Sequence, residues 1–295
     1  MVTELAVPQK ISKPTGIALG PDGNIWFTEN HKNAIGMVNA TTQKFTRFMI
    51  TTHNAAPTSI VAGPDGNLWF TESFGNKIGR ITPAGVITEF PVNIAGSDPI
   101  GIVAGPDGNL WVTEFDANRI LRVTPTGTLT GFLVPTPKSH PAFLTVGPDN
   151  AIWFTESTAN KIGQLTVTGH FSEFALASGS LPEGIAAGPD GNLWFTEITS
   201  SDIGQITTKG VITLFSTPTA NAGPAHITAG PTGSGLLWFT EANANNIATV
   251  TTAGAITEFA VPTAASGLNN ITVGPSNNIW FTEQTANKIG IESGS

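Results

Sequence analysis

Glutamate recurs in this chain at Glu29, Glu72, Glu114, Glu156, Glu197, Glu241 and Glu283, at intervals of 43, 42, 42, 41, 44 and 42 residues. Two roles suit such a series. Carboxylates gathered on one face would hold a cation or a cationic ligand, but seven like charges side by side raise one another's pKa unless each is separately paired. A residue present in every copy of a repeat otherwise serves what every copy shares, such as accepting hydrogen bonds from a neighbouring copy's loop, and the need for pairing favours that role. A site is better sought where the copies differ. The polar deviations are Lys13, Asp98, His140, Glu183, His226 and Asn269 at the starts of strand-like segments, with His31, Phe74, Phe115 and Asp116 just beyond a repeated glutamate. Asp98, His140 and Glu183 come from consecutive copies, and if they converge they make an acid/base or metal cluster. The alternative for the same residues is a solvated loop whose side chains drift freely. His53 and His170 have no partner in the pattern and read as surface residues. No nucleotide loop, HExxH or GxSxG is present.

The elements that must position these residues follow from a second series in step with the first. Trp26, Trp69, Trp111, Trp153, Trp194, Trp238 and Trp280 each sit in a copy or variant of GPDGNLWFTE, so one supersecondary unit of about 40 residues is repeated. In the second copy, Thr58 to Gly63, Asn67 to Glu72, Asn76 to Thr82 and Val86 to Pro91 read as strands, separated by Pro-Asp-Gly and Pro-Ala-Gly turns. Four strands per period predict a blade, and seven blades predict an all-β, seven-bladed propeller of four-stranded antiparallel sheets. An α-solenoid of similar period would need helical spacing of apolar residues, which turn residues every 8 to 12 positions exclude. The last copy supplies three strands, up to Glu292, before a Ser293-Gly294-Ser295 tail, whereas Val2 to Pro8 (VTELAVP) matches the fourth-strand segment Ile256 to Pro262 (ITEFAVP). The N-terminal strand is therefore expected to complete blade seven, leaving no open sheet edge and making residues 1–295 one domain. The tryptophans are expected between blades. Asp22, Asp65, Asp107 and Asp190 read as hairpin-turn residues, one per turn, too sparse for a calcium loop.

Charge and composition exclude other classes. Only 12% of residues are charged, net charge is −8, and the 13 Lys+Arg are scattered singly, so nucleic acid is not an expected partner. With no cysteine there is no disulfide, thiolate metal site or thiol nucleophile. No apolar run reaches membrane length and no leader precedes the first strand, which predicts a soluble chain without a membrane partner: cytoplasmic if complete, secreted if a leader was removed. A monomer is expected.

GPDGNLWFTE followed by ANKIGRITP-like and ITEFPVP-like segments, over essentially the whole chain, resembles the virginiamycin B lyase family, or streptogramin lyases. The resemblance implies a seven-bladed propeller whose active members linearise streptogramin B antibiotics by elimination. A histidine base removes an α-proton, carboxylate-held Mg²⁺ stabilises the enolate-like charge, and the ester carboxylate leaves. It also implies functional side chains where first strands begin and second strands end. There the chain departs from the pattern. Thr15 replaces a tyrosine, Ala225 replaces a histidine with His226 one place later, and Gly267-Leu268-Asn269 replaces Glu-Pro-His. Strict strand alternation would turn the displaced His226 away from the site. Thr15, His226 and Asn269 thus mark the family's catalytic positions with the chemistry lost. Glu283 is the retained candidate metal ligand, and Asp98, His140, Glu183, Phe74 and Phe115 are candidate binding residues. No cofactor is expected, unless Mg²⁺ in the event that the chain is a lyase. The expected partner is a small molecule or protein at the channel mouth.

Overall fold

A computed structural model describes residues 1–293; Gly294 and Ser295 of the tail lie outside the described residues. Seven four-stranded antiparallel sheets form the ring. Blade two runs Pro57–Ala62, Leu68–Glu72, Lys77–Ile81 and Ile87–Pro91, within a residue or two of the expected strands. Helical geometry among the described residues is confined to the 3-10 turns Asn30–Lys32 and Pro275–Asn277. In blade seven the strand Val2–Ala6 pairs antiparallel with Lys288–Glu292, from Val2 opposite Glu292 to Ala6 opposite Lys288. The first and last segments of the chain thus close the ring in one sheet.

Each interface between blades has its own apolar cluster. Trp69 packs with Leu110 and Val112 of the next blade, Trp153 with Leu193 and Phe195, and Trp280 closes the series against Ile17, Ile25 and Phe27 of blade one. The indole N–H of Trp26, Trp69, Trp111, Trp153 and Trp194 donates to the aspartate four residues earlier, so the repeated turn aspartate also locks the core side chain. Size is matched across strands. In blade two a Cβ on Gly79 would overlap the ring of Phe70 opposite it, whereas blade three pairs the smaller Val112 with Leu121.

A hydroxyl stitches neighbouring blades. The buried threonine of each second strand accepts a backbone N–H of its own first strand and donates to a first-strand carbonyl of the next blade. Thr71 accepts from Ser59 N at 3.0 Å and donates to Ile100 O at 2.8 Å, and Thr282 carries the series across the closure to Thr15 O at 2.8 Å. These bonds are needed because every first strand bulges after its opening residue, as between Pro224 and Ile227. A bulge leaves backbone groups without ladder partners, and the threonine supplies them.

Candidate functional site

The starts of the first strands and the ends of the second strands share one face of the ring. The residue before each first strand is left-handed: Lys13, Ala56, Asp98, His140 and Leu181 have φ of 49–52°, and Gly223 and Gly267 have 64° and 70°. This sharp turn is held by left-handed residues that end the second-to-third-strand loops, asparagine in six blades and Ser201 in the fifth. Asn76 Oδ1 accepts both the N–H and the hydroxyl of Ser97 at 2.9 Å, while its amide donates to Ile94 O at 2.8 Å. Asp98 is thereby fixed one residue beyond a clamped serine.

Inside the ring the first strands line a central channel of about 140 Å³. Its walls are mainly isoleucines, interrupted by Ser59, Phe143, His226 and Asn270. His226 is the clearest departure from the sequence-based expectation. Alternation predicts that the displaced imidazole faces away, but the bulge between Pro224 and Ile227 breaks alternation, and His226 enters the channel wall edge-on to Phe143 at 4.3 Å. Burial pushes its pKa down to about 4, so it is a neutral, weakly basic imidazole at pH 7.

The remaining candidates separate into small groups. Thr15 is buried, donates to Lys13 O at 3.1 Å and accepts from the Gln284 amide at 3.0 Å. Asn269 is half-buried, and its carbonyl accepts the Thr240 hydroxyl at 2.7 Å. His140 stacks on Phe115 at 4.6 Å and 15°, with Nδ1 at 2.8 Å from Thr158 Oγ1. The carboxyl of Asp98 is raised by burial and then by the charge of Asp116. Glu183 is half-buried with no hydrogen-bond partner among the described residues, and burial alone pushes its carboxyl up to about 7. Asp98 and His140 both adjoin the Phe115-Asp116 loop, the Phe115 N–H donating to Asp98 O at 3.0 Å, and with Glu183 they form no metal-holding group among the described residues. Phe74 is 81% exposed and lines a groove of about 380 Å³ with His31 and Asn54. His53 and His170 are exposed.

The seven repeated glutamates are all buried; four have charged or polar partners within their own blades, and hydroxyls of the loops between blades, Thr52, Ser139, Ser180 and Ser266, adjoin Glu72, Glu156, Glu197 and Glu283. Glu29 meets Arg47 at 3.1 Å, Glu114 meets Arg119 at 2.7 Å, Glu197 accepts from Ser200 at 2.7 Å and Glu241 from Asn246 at 3.1 Å. Among the described residues no donor meets Glu72, Glu156 or Glu283 in good hydrogen-bond geometry, although the hydroxyls of Thr52, Ser139 and Ser266 lie beside them. Each also adjoins a fourth-strand glutamate, Glu89, Glu173 or Glu4. Burial and then that neighbour's charge push Glu72 up to about 8 and Glu156 and Glu283 to about 7. The fourth-strand partners are held ionised: Glu4 accepts from Lys288 at 2.6 Å and from the Thr263 N–H and hydroxyl at 2.9 and 2.7 Å, and its pKa is lowered. A protonated glutamate beside an ionised one resolves the crowding. The sequence holds the signal for this pairing, since TEF or SEF recurs in the fourth strands at Glu89, Glu173, Glu258 and Glu4 (TEL).

The donors around Glu283 fit this carboxyl pair better than Mg²⁺, which needs several hard oxygens in near-octahedral array. Glu283 adjoins Glu4 and the Lys288 cation. At the second carboxylate position stands Gly267, where a Cβ would lie 2.9 Å from Thr285 Cβ and backbone N. Among the described residues no three His, Asp or Glu side chains are arranged to hold a metal. Among the described residues no helix is long and apolar enough to cross a membrane.

The family model described as the virginiamycin B lyase family matches residues 1–234 and 185–293. A solved streptogramin B lyase is 37% identical with a TM-score of 0.93, over 99% of this chain and 96% of that one. Virginiamycin B lyase from Staphylococcus aureus is 39% identical with a TM-score of 0.94, over 99% and 98%. A catalytically inactive histidine-to-alanine form of that enzyme, solved with quinupristin, is likewise 39% identical, with a TM-score of 0.93 over the same shares. No curated protein matches the chain.

Proposed function

The chain belongs to the virginiamycin B lyase family, and from that premise we propose that it is a lyase-like propeller which binds a small molecule or protein at the channel mouth without performing the elimination. The observation that carries this reading is the triplet Gly267-Leu268-Asn269, which stands where the family resemblance implies a carboxylate and a histidine base. An amide has no useful basicity near neutral pH, so the roughly 10²- to 10⁴-fold from general base catalysis is lost. His226 does not replace that base: it is buried against Phe143, and its proton affinity is depressed. Two features support binding at the mouth. Glu183 presents a partner-free carboxyl, and His140 stacked on Phe115 presents a flat, polar-edged surface. The second reading, a Mg²⁺-dependent virginiamycin B lyase, would draw on Glu183, whose pKa of about 7 suits proton transfer, together with Glu283. Incubation with a streptogramin B and Mg²⁺ followed by mass spectrometry separates the two. The cyclic compound should be recovered intact, and accumulation of the ring-opened product would overturn the non-catalytic reading.

A further inference from the structure

A third-strand residue stands opposite each tryptophan, on the indole's side of the sheet, and in six blades the indole also stacks on a fourth-strand phenylalanine. In blades two and three the third-strand residue is cationic. The Arg80 guanidinium lies 5.7 Å from the Trp69 ring and 5.8 Å from Phe90, and Arg122 lies 5.9 Å from Trp111 and 5.8 Å from Phe132. Met37, Gln164, Gln205 and Ile291 stand opposite the tryptophans of blades one, four, five and seven. Blade six alone carries a short side chain there, Thr249 opposite Trp238.

The consequence is an open slot. Trp238 and Phe259 keep the same stack, 5.5 Å and 24°, but a cavity of about 300 Å³ opens onto them. Trp238 is 8% exposed, whereas the other six tryptophans are at 0–2%. Ser234 stands four residues before Trp238, where five other blades have the aspartate that accepts the indole N–H, and no described group accepts from Trp238. The cavity also has an anionic wall. Glu292 lines it, and although Glu292 Oε1 takes the Met1 amino group at 2.7 Å, Oε2 has no described donor.

We propose that this slot is a second ligand site, remote from the channel mouth, that takes a small guanidinium-bearing molecule in the place Arg80 and Arg122 occupy in blades two and three. An aromatic face attracts a cation through its quadrupole, and it does so most strongly when the cation is partly desolvated, as it is between blades. Glu292 adds charge complementarity, as Asp65 does at 3.8 Å from Arg80. The neutral glutamines of blades four and five are instead bonded to Asp149 and Asp190, so those slots are filled and their acceptors used.

The probe is n-butylguanidinium, with neutral n-butylurea as its shape control, read by the indole N–H resonances of isotopically labelled protein. The Trp238 resonance should shift saturably with a Kd of about 1–10 mM, while those of Trp69 and Trp111 stay in place. The shift should be absent with n-butylurea and lost in Thr249→Arg, which installs the blade-two residue. Thr249→Met, the residue of blade one, should also abolish it and serves if the arginine variant fails to fold. No Trp238 shift up to about 100 mM, an equal shift with the urea, or a shift that survives filling of the slot would each overturn the proposal.

Discussion

Two of the seven tryptophans should respond differently to the same small truncation. Trp153 is fully buried, stacks on Phe174 at 5.5 Å and 11°, and donates its indole N–H to Asp149 at 3.0 Å. Trp280 is 2% exposed, but Ser276 stands in the aspartate position, Leu5 replaces the stacked phenylalanine, and the buried indole N–H has no partner among the described residues. Replacing either by phenylalanine removes roughly 40 Å³ of side chain, which costs about 1 kcal/mol at the usual price of cavity volume. Trp153→Phe loses in addition a hydrogen bond worth about 1 kcal/mol, reduced from the charged-acceptor range because Asp149 is exposed. Trp280→Phe instead relieves an orphaned donor whose burial costs about 1–3 kcal/mol. Trp153→Phe should therefore lower stability by about 2 kcal/mol and Trp280→Phe should leave it unchanged or slightly raised. Urea unfolding followed by circular dichroism gives both values, with thermal shifts of roughly 2 °C per kcal/mol expected for a chain of this size. Equal losses at the two positions would refute the claim that the Asp-to-indole bond is what distinguishes the blades.

Deleting residues 1–8 removes the Val2–Ala6 strand, the Glu4 to Lys288 ion pair and the core contacts of Leu5 and Val7. It should cause aggregation or a large fall in melting temperature, and an unaltered melting curve would sink the closure. The carboxyl pairs predict a pH dependence. Because Glu72, Glu156, Glu241 and Glu283 have native pKa values raised to about 7 or 8, the native state holds protons that the unfolded state releases near 4.5, so their contribution is lost as pH rises from about 4.5 through 8. Glu72→Gln mimics the protonated form; it should match the parent near pH 5 and exceed it by about 1–4 kcal/mol near pH 9. Equal effects of Glu72→Gln at both pH values would contradict the protonated pair.

The ring was legible because its signals are local and repeated. Tryptophan spacing marks the blades, and the match of VTELAVP to ITEFAVP places the closing strand in the seventh sheet. What was not legible depends on neighbours distant in sequence or on broken regularity. The bulge that brings His226 into the channel removes the alternation on which its orientation was read. The partners of the repeated glutamates lie across strands, as Glu4 does from Glu283 at opposite ends of the chain. The burial that raises the Glu183 carboxyl exists only in the folded ring, and no spacing along the chain encodes it.

The most direct measurement is the initial rate of streptogramin B ring opening with Mg²⁺, followed side by side for three proteins by liquid chromatography and mass spectrometry. These are the parent, Glu283→Gln, and a rebuilt variant carrying Thr15→Tyr, Ala225→His, Gly267→Glu, Leu268→Pro and Asn269→His. Five other blades hold non-glycine residues at the left-handed position of Gly267, so its φ admits a glutamate, while the Cβ would sit 2.9 Å from the Thr285 backbone N and requires the Thr285 segment to shift. The parent and Glu283→Gln should stay at the rate of the buffer alone while the rebuilt protein gains Mg²⁺-dependent turnover. Robust turnover by the parent that survives Glu283→Gln would contradict both the loss of chemistry and the placement of the family's residues on this chain.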